Sequence, residues 1–560
     1  MRSHHPRLIP RGASPSGIYP LQAAPTVATA PSPAKFTVAM TGHHFGSASL
    51  LVLALGAGPT GALNGQTARP ITIQGLGTIS FPVSTHSAPA ETAFVKGALL
   101  LHLFEYEDAA TQFQVAERLD PAMALAYWGE AMTHDHGVWD EEDVAAGRAA
   151  LARYAPTAAE REARAPSARE RGYLHAVDIL FGDGPKARRD TLYSEAMDSL
   201  LAALPGDDEA RAFYALSLLG LSQGVRNVPT YLHAAAIAES VYARNPRHPG
   251  AAHYWIHGMD DPEHAAGALP AARALSDIAP EAGHAQHMTS HIFMALGMWD
   301  DVVRANVNAM RVVNASRARQ GVGPGYCGHY NFWLEYGYLQ LGSLDEAHDL
   351  MKKCRGQADT STADDRDPDN TRLGSAVEMW SRYIIDSRDW SGADAEWSPR
   401  LGQASWTRAT WVFTRGLAAA QRGDSGATTS ALADFDATRA RLLSRMAGET
   451  PDPESVEARK RLDVLDLELE AEHQLVRTEP ATDSALALLR QATSVEDSMA
   501  FAFGPPDVEE PSHELRGDVL LRARRYADAA SEYRAALRKA PGRVSAEQGL
   551  ARARAEGRLP

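Results

Sequence analysis

From about Ala90 onward, apolar residues recur at helical spacing along most of the chain. Alanine-rich amphipathic segments alternate with turns marked by proline, glycine and Asp-Pro pairs. Few segments show the alternation of Val or Ile with polar residues that is typical of half-buried strands. The pattern therefore predicts an all-α chain.

Two segments at opposite ends of the chain share one spacing of small, aromatic and proline residues. In each, a small residue lets two antiparallel helices approach, an aromatic ring fills the gap against the next pair, and a proline stops the second helix. This spacing resembles that of tetratricopeptide repeats (TPR), so we expect a TPR-like helix-pair solenoid, a superhelix with a concave cleft. The equivalent residues are Gly97, Ala109, Phe113, Ala116 and Pro121 at one end, and Gly517, Ala529, Tyr533, Ala536 and Pro541 at the other.

Weaker copies of the same pattern fill the middle of the chain, where loops are indicated by glycine-rich and Asp/Thr/Ser-rich stretches. The predicted organisation has eight parts: a disordered leader or misassigned start (1–39), a signal peptide (40–68), an extended segment (69–89), a TPR-like solenoid carrying the histidine cluster (90–355), a loop (356–372), helical repeats (373–447), a loop (448–454), and a C-terminal helical block ending in a TPR unit (455–560).

Two His-x-x-x-His pairs lie in the middle of the chain, His253 with His257 and His287 with His291. Residues four apart lie one turn apart on one helix face, so both imidazoles of a pair can reach a common point. The second pair follows the first by 34 residues, which is one whole repeat. The pairs should therefore face each other from neighbouring helices roughly 10 Å apart, with His284 in support.

Weaker candidates surround this cluster in the sequence. His329 falls at the equivalent place in the next unit, and His134, His136 and His513 are further possible ligands. Neither histidine pair contains the intervening glutamate of a His-Glu-x-x-His zinc protease, so the catalytic residues stay unassigned. Glu130 and Asp135 are the weak candidates for a general base.

Imidazole is the commonest ligand for first-row metals, including zinc, copper and iron. We therefore expect a His-lined site on the concave face that binds a divalent transition metal, with metal-dependent catalysis left open. The alternative is a non-enzymatic scaffold whose concave groove binds peptide or protein partners. A small-molecule ligand in the cleft is a third kind of partner that the sequence leaves open.

Composition excludes several other classes. The 560 residues include 55 basic and 70 acidic side chains, a formal charge of −15, which does not favour nucleic-acid binding. Only two cysteines are present, so a metal must be held by histidine and carboxylate. We expect Cys354 to be a buried, inert thiol, while Cys327 lies in a loop and either pairs with it or stays free.

The apolar run at 45–62 is too short to span a bilayer comfortably, and no later run approaches that length. It follows Met40 and precedes small residues suited to cleavage, which predicts a secretory signal peptide. We therefore expect no integral membrane span and a periplasmic or extracellular protein.

Five runs carry a more specific resemblance. The segments 126–132, 247–257, 283–292, 503–506 and 511–514 resemble a family of exported bacterial TPR proteins with His-rich repeats, over about residues 85 to 555. Thr289 stands where many relatives have proline. The resemblance implies the fold and export, and it implies that the C-terminal block folds back toward the cleft.

Overall fold

The structure is a computed structural model, and it describes residues 69–222, 225–358, 371–401, 405–447 and 452–559. The predicted leader and signal peptide (1–39 and 40–68) lie outside the described residues. In the described part of the chain, no helix is both long enough and apolar enough to span a membrane.

Helices dominate the described residues, and each packs against a helix adjacent to it in sequence. The predicted all-α, TPR-like solenoid is therefore confirmed. The α-helices are α1 (Ala88–His102), α2 (Tyr106–Leu119), α3 (Ala124–Met132), α4 (Val144–Tyr154), α5 (Ala158–Arg164), α6 (Ala168–Leu180), α7 (Lys186–Ala203), α8 (Asp208–Gly220), α9 (Val228–Arg244), α10 (Pro249–Gly258), α11 (Leu269–Ile278), α12 (Gly283–Ala295), α13 (Trp299–Arg319), α14 (His329–Gln340), α15 (Leu344–Ala358), α16 (Arg372–Ser387), α17 (Trp406–Gln421), α18 (Ser425–Met446), α19 (Pro453–Leu475), α20 (Thr482–Asp497), α21 (Ser512–Arg522), α22 (Tyr526–Lys539) and α23 (Val544–Gly557).

Short elements interrupt this series. The segment expected to be extended forms an antiparallel hairpin of β1 (Ile71–Ile73) and β2 (Gly77–Ile79), and β3 (Asp135–His136) pairs with β4 (Glu141–Glu142). Three 3-10 helices cover Gly137–Trp139, Ala265–Ala268 and Ala393–Glu396. The first hairpin is fixed to the turn before α10, because the Asn245 side chain donates a hydrogen bond to the Thr78 carbonyl at 2.8 Å.

The predicted packing of small residues against aromatic rings is present at the N-terminal end. A Cβ atom added to Gly97 of α1 would lie 2.9 Å from the Phe113 ring of α2. A Cβ on Gly129 of α3 would lie 2.3 Å from the same ring. One ring therefore fills the space between three consecutive helices, and this close approach requires glycine on both sides.

The C-terminal repeat copies this arrangement. A Cβ added to Gly517 would lie 2.8 Å from the Tyr533 ring, and one added to Gly549 would lie 2.3 Å from it. The residue spacing that both ends share in the sequence therefore corresponds to the same packing, in which two glycines lie against one aromatic ring.

The buried apolar residues form two clusters that meet at α14. Trp333 and Tyr336 belong to the cluster built from the N-terminal helices, whereas Leu334 and Leu339 of the same helix belong to the C-terminal cluster. Helix α14 therefore joins the two halves of the core.

A disulfide links the loop between α13 and α14 to α15. Cys327 and Cys354 form a disulfide, with their Cα atoms 4.8 Å apart. Cys354 is buried as expected, but the expectation that it is an inert thiol is wrong, because the loop before α14 brings Cys327 within bonding distance of α15. Of the two alternatives for Cys327, the structure has the pairing with Cys354.

Most of each predicted loop lies outside the described residues, namely 359–370 and 448–451. Helix α15 ends at Ala358 and α16 begins at Arg372, so both ends of the loop predicted over 356–372 are helical. Helix α18 ends at Met446 and α19 begins at Pro453, so the last two residues of the loop predicted over 448–454 are helical.

Candidate metal centre

Three helices supply the histidines of the centre. Helix α10 carries His253 and His257, α12 carries His284, His287 and His291, and α14 begins at His329. Helix α10 starts where His248 caps it: its Nδ1 accepts a hydrogen bond from the Ala251 N–H at 3.1 Å. The helical spacing of four residues places the two imidazoles of each pair on one helix face.

The structure divides these histidines into two groups of three. The first triad is His253, His257 and His284, and the second is His287, His291 and His329; within each, one nitrogen per ring lies within 4.8 Å of the others. The four histidines expected at the centre are thus split between two triads, each completed by a histidine that the sequence analysis placed in a supporting role.

Within the first triad, the Nε2 atoms of His253 and His284 lie 3.2 Å apart. The His257 ring centroid lies 4.8 Å from that of His253. Among the described residues, neither buried ring nitrogen of His257 has a hydrogen-bond partner. A buried imidazole without partners is costly, so this ring has unused capacity to bind a ligand.

Within the second triad, the His287 Nε2 is the shared point. It lies 3.1 Å from the Nε2 of His291 and 3.0 Å from the Nε2 of His329. The two triads are adjacent, since the ring centroids of His257 and His291 are 6.0 Å apart and those of His284 and His287 are 6.2 Å apart.

Hydrogen bonds at the opposite ring nitrogens orient three of these imidazoles. His253 donates from Nδ1 to the His102 carbonyl at 2.7 Å, and His287 donates from Nδ1 to Oδ1 of Asn306 at 2.7 Å. The Nδ1 of His291 lies 2.5 Å from a carboxylate oxygen of Asp260. With Nδ1 protonated in a neutral ring, Nε2 carries a lone pair that points into the triad.

The side chain of Asn306 is itself fixed. Its amide NH2 donates to the Val302 carbonyl at 2.9 Å, which leaves Oδ1 to face His287. This removes the ambiguity in which ring nitrogen of His287 carries the proton.

Burial keeps most of these imidazoles neutral. It lowers the pKa of His253 to about 3, and it lowers the pKa values of His257, His284 and His287 well below the usual value. Neighbouring histidines lower the pKa values of His257 and His284 further. Neutral imidazole is the form that binds metals.

Each triad is covered by one aromatic residue that contacts all three of its rings. Phe104 lies with its ring centroid 4.4 Å from that of His253 and also packs against His257 and His284. Its φ of +57° places it in the left-handed region, a strained conformation for a bulky residue. The sequence analysis missed Phe104, which carries no pattern of its own.

Trp333 covers the second triad. Its ring centroid lies 4.3 Å from His291, 4.8 Å from His287 and 5.3 Å from His329. Gly504 of the C-terminal segment packs against this indole, and the Phe503 ring centroid lies 6.0 Å from that of His291, so the C-terminal block folds back onto the centre as the resemblance implied. The centre is consequently more enclosed than side chains on a cleft surface: His253 and His287 are fully buried, while His329 is exposed.

The remaining candidate histidines lie in other surroundings. His136 stacks on Tyr106 with 3.9 Å between ring centroids, and His513 pairs with Glu532 at 2.7 Å and with Asp497 at 3.1 Å. The structure does not bring these two rings, or His134, into either triad.

The two candidate bases are also engaged elsewhere. Glu130 accepts from Gln114 at 2.9 Å and pairs with Arg153. Asp135 lies 3.9 Å from the Lys186 ammonium, and burial raises its pKa to about 7. Asp260 is the carboxylate that touches the centre, through His291.

A third group of possible ligands was not anticipated. His102, Glu209 and His248 are buried and lie within 4.8 Å of one another. His102 is fully hydrogen-bonded, because its ring nitrogens lie 2.9 Å from Glu209 and from the Tyr254 hydroxyl. Among the described residues, Glu209 Oε1 and His248 Nε2 have no hydrogen-bond partner, although they lie 3.4 Å apart. This group supports the centre through the His102 carbonyl that holds His253.

Comparisons with known proteins concern the fold alone. No family model matches the chain, and no curated protein matches its sequence. Solved structures with which it aligns include a chain of the Cut9–Hcn1 hetero-tetramer of APC/C (12% identity, 84% of this chain, 78% of that chain, TM-score 0.31), the P58(IPK) TPR domain (13%, 84%, 99%, 0.19) and yeast Tom70 (10%, 84%, 89%, 0.26). At these identities and TM-scores, the alignments carry no argument about the histidines.

Proposed function

We propose that this chain is a helix-pair scaffold whose histidine centre binds transition metal. The observation that carries the proposal is the 3.1 Å approach of the His287 and His291 Nε2 atoms, whose rings both place Nδ1 against an oxygen. If both rings are neutral, two lone pairs face each other and repel. A cation bound between them turns that repulsion into ligation.

The distances fit a metal. Two imidazole nitrogens bound at about 2.0–2.1 Å in tetrahedral geometry lie roughly 3.3 Å apart. The Nε2 separations of 3.0 to 3.2 Å between His253 and His284, His287 and His291, and His287 and His329 are close to that value. The competing explanation for these short distances is a proton shared between two buried rings. Metal analysis distinguishes a bound metal from a shared proton.

The chemistry of such a centre follows from its ligand count. Three imidazoles leave a coordination position for water or a substrate, which is the arrangement of catalytic rather than structural sites. A cavity of about 230 Å³ beside His291 and Asp260 is where we place a small-molecule ligand.

Elemental analysis of protein purified without an affinity tag tests the metal. We expect metal in the wild type and a large loss in the double variant His253→Ala plus His287→Ala, which removes one ligand from each triad. His175→Ala is the matched control, because this exposed histidine pairs with Glu162 outside the centre. Equal metal in wild type and double variant would end the proposal, as would a metal-free wild type after reconstitution.

The architecture favours a second, coarser function, a scaffold that binds peptide or protein partners. Solenoids of helix pairs present extended surfaces for such partners. Partner capture that survives treatment with a chelator supports this function without metal. Capture that disappears with the metal assigns binding to the centre instead.

Export remains a proposal as well. It is supported by the apolar run after Met40 and by the Cys327–Cys354 disulfide, a cross-link that persists in oxidising compartments. Mass spectrometry of the mature N-terminus tests it: cleavage within 60–69 supports export, and an uncleaved N-terminus in a cytoplasmic fraction refutes it.

A further inference from the structure

We infer that the two adjacent histidine triads hold a pair of copper ions, one ion in each triad. The inference rests on the proposed function, because it names the metal and the number of ions at the same centre. It is carried by three features: two complete three-imidazole groups, a ligand set made of histidine alone, and their close approach in a buried site.

Each triad can bind an ion of its own. Both have three rings whose nitrogens lie within 4.8 Å of one another, and in both the rings come from two helices. In the first triad, neither ring nitrogen of the buried His257 has a hydrogen-bond partner among the described residues, so both are available to a metal. In the second, the His287 Nε2 stands between two further Nε2 atoms.

The ligand set selects among metals. Iron and manganese pairs are generally held with carboxylates, and magnesium and calcium require oxygen ligands. The two triads contain histidines only. The nearby carboxylates have other partners: Asp260 holds His291, and Glu105 accepts from the His284 backbone N–H at 3.1 Å. Copper, nickel and zinc suit an all-imidazole set, and copper is bound most tightly of the three in the general series of divalent affinities.

The charge of the bound ions favours copper(I) over zinc at this site. Two zinc ions bring +4 into a buried site whose six ligands are uncharged, whereas two copper(I) ions bring +2. Because Coulomb energy scales with the product of the charges, the repulsion between two copper(I) ions is about one quarter of that between two zinc ions at equal separation. Asp260 supplies one negative charge beside the centre. A buried pair of triads therefore accommodates two copper ions at a smaller cost than two zinc ions.

The surroundings suit a metal that cycles between oxidation states or takes a small ligand. Phe104 packs on the rings of the first triad and Trp333 on those of the second, while the exposed His329 connects the second triad to solvent. Low solvent exposure and fixed Nδ1 hydrogen bonds are features by which a protein sets the redox potential of a metal site.

The experiment is a metal titration of the full chain without a tag, in the absence of oxygen. Copper(I) is delivered from a chromophoric chelator, and zinc is titrated separately. We expect the wild type to bind two copper(I) ions per chain and to bind a second zinc ion at least tenfold more weakly than the first.

Two variants assign the ions to the triads. His257→Ala removes a ligand from the first triad, and His329→Ala removes an exposed ligand from the second, with little risk to folding. Each variant should bind one copper ion tightly, and His175→Ala should still bind two. Circular dichroism confirms that the variants keep the helical content of the wild type.

A spectroscopic measurement tests whether the two ions are adjacent. Protein loaded with two copper(I) ions, oxidised with ferricyanide and frozen at once, should give an electron paramagnetic resonance signal well below two spins per chain, since neighbouring copper(II) ions couple magnetically. His329→Ala loaded with one copper(I) ion and oxidised in the same way should give one full spin.

Each outcome has one meaning. Two zinc ions bound with equal affinity, or a single copper ion in the wild type, would overturn the copper pair and leave the metal-binding proposal standing. A full two-spin signal would overturn the adjacency of the ions. Absence of every metal would overturn both proposals.

Discussion

His287 and His291 approach each other through Nε2 at 3.1 Å, although the Nδ1 of each ring already lies against an oxygen. Two neutral imidazoles in this arrangement have no hydrogen to share. With Nδ1 as the donor in both rings, a cation between them, either a proton or a metal ion, removes the repulsion between the two lone pairs. The side chains that hydrogen-bond to Nδ1 of these two rings are therefore the most informative positions for mutation.

Asn306 is the support that can be removed with least disturbance of charge. Asn306→Ala removes the acceptor that holds the Nδ1 proton of His287, and such outer partners typically contribute about 10- to 100-fold in metal affinity. We expect a loss of that size in a competition titration. Asn308→Ala on the same helix is the control and should keep wild-type affinity. Equal affinities in all three proteins would show that Asn306 has no positioning role.

Gly504 links the C-terminal segment to the second triad. Its φ is +109°, and a Cβ there would lie 2.6 Å from the Trp333 ring that packs on three histidines. We expect Gly504→Ala to lower the melting temperature and to weaken metal binding, because the indole must shift. The control is Gly423→Ala, which has a φ of +74° but open space around the new Cβ. That variant should show the backbone strain alone, with unchanged metal affinity.

Gly129 tests the packing of the repeat. Gly129→Ala places a Cβ 2.3 Å from the Phe113 ring, and overpacking of this kind costs about 1–3 kcal/mol in the free energy of unfolding. Gly356→Ala is the matched control, because this glycine of α15 has open space around it. There the better helix propensity of alanine should stabilise by up to about 1 kcal/mol. Urea unfolding measures both, and a stabilised Gly129→Ala variant would contradict the packing described.

Asp466 should make stability depend on pH. Burial is the main cause that raises its pKa to about 6, and the nearby carboxylates of Asp436 and Glu470 raise it further. A carboxyl group with a raised pKa in the folded state binds protons more tightly there than in the unfolded chain. Stability contributed by this group therefore falls as the pH rises from about 4 to about 6.

Asp466→Asn removes that ionisation. We expect the variant to be more stable than the wild type near pH 7 and to differ little near pH 4, as measured by urea unfolding at both values. The same difference at both pH values would mean that the carboxyl group ionises alike in the folded and unfolded chains.

Much of the fold follows from local pattern. The shared spacing of Gly97 and Phe113 with Gly517 and Tyr533 predicts the same helix packing at both ends, because side-chain volume and helical period decide which residues can meet. The spacing of His253 and His257 by four residues likewise fixes them on one helix face.

The division of the histidines into triads does not follow from local pattern. The groups that orient the rings come from other parts of the chain: the His102 carbonyl accepts a hydrogen bond from His253, 151 residues away, and Asn306 and Asp260 orient His287 and His291 from neighbouring elements. Such contacts leave no periodic trace in the sequence.

Spacing within a turn or a repeat is enough to predict the helix-pair architecture and which histidines share a helix face. It does not predict that His284 completes one triad and His329 the other, or that Phe104 and Trp333 cover them. These features depend on ring orientation, which is set by long-range hydrogen bonds and by packing between helices, and both form only when the repeats stack.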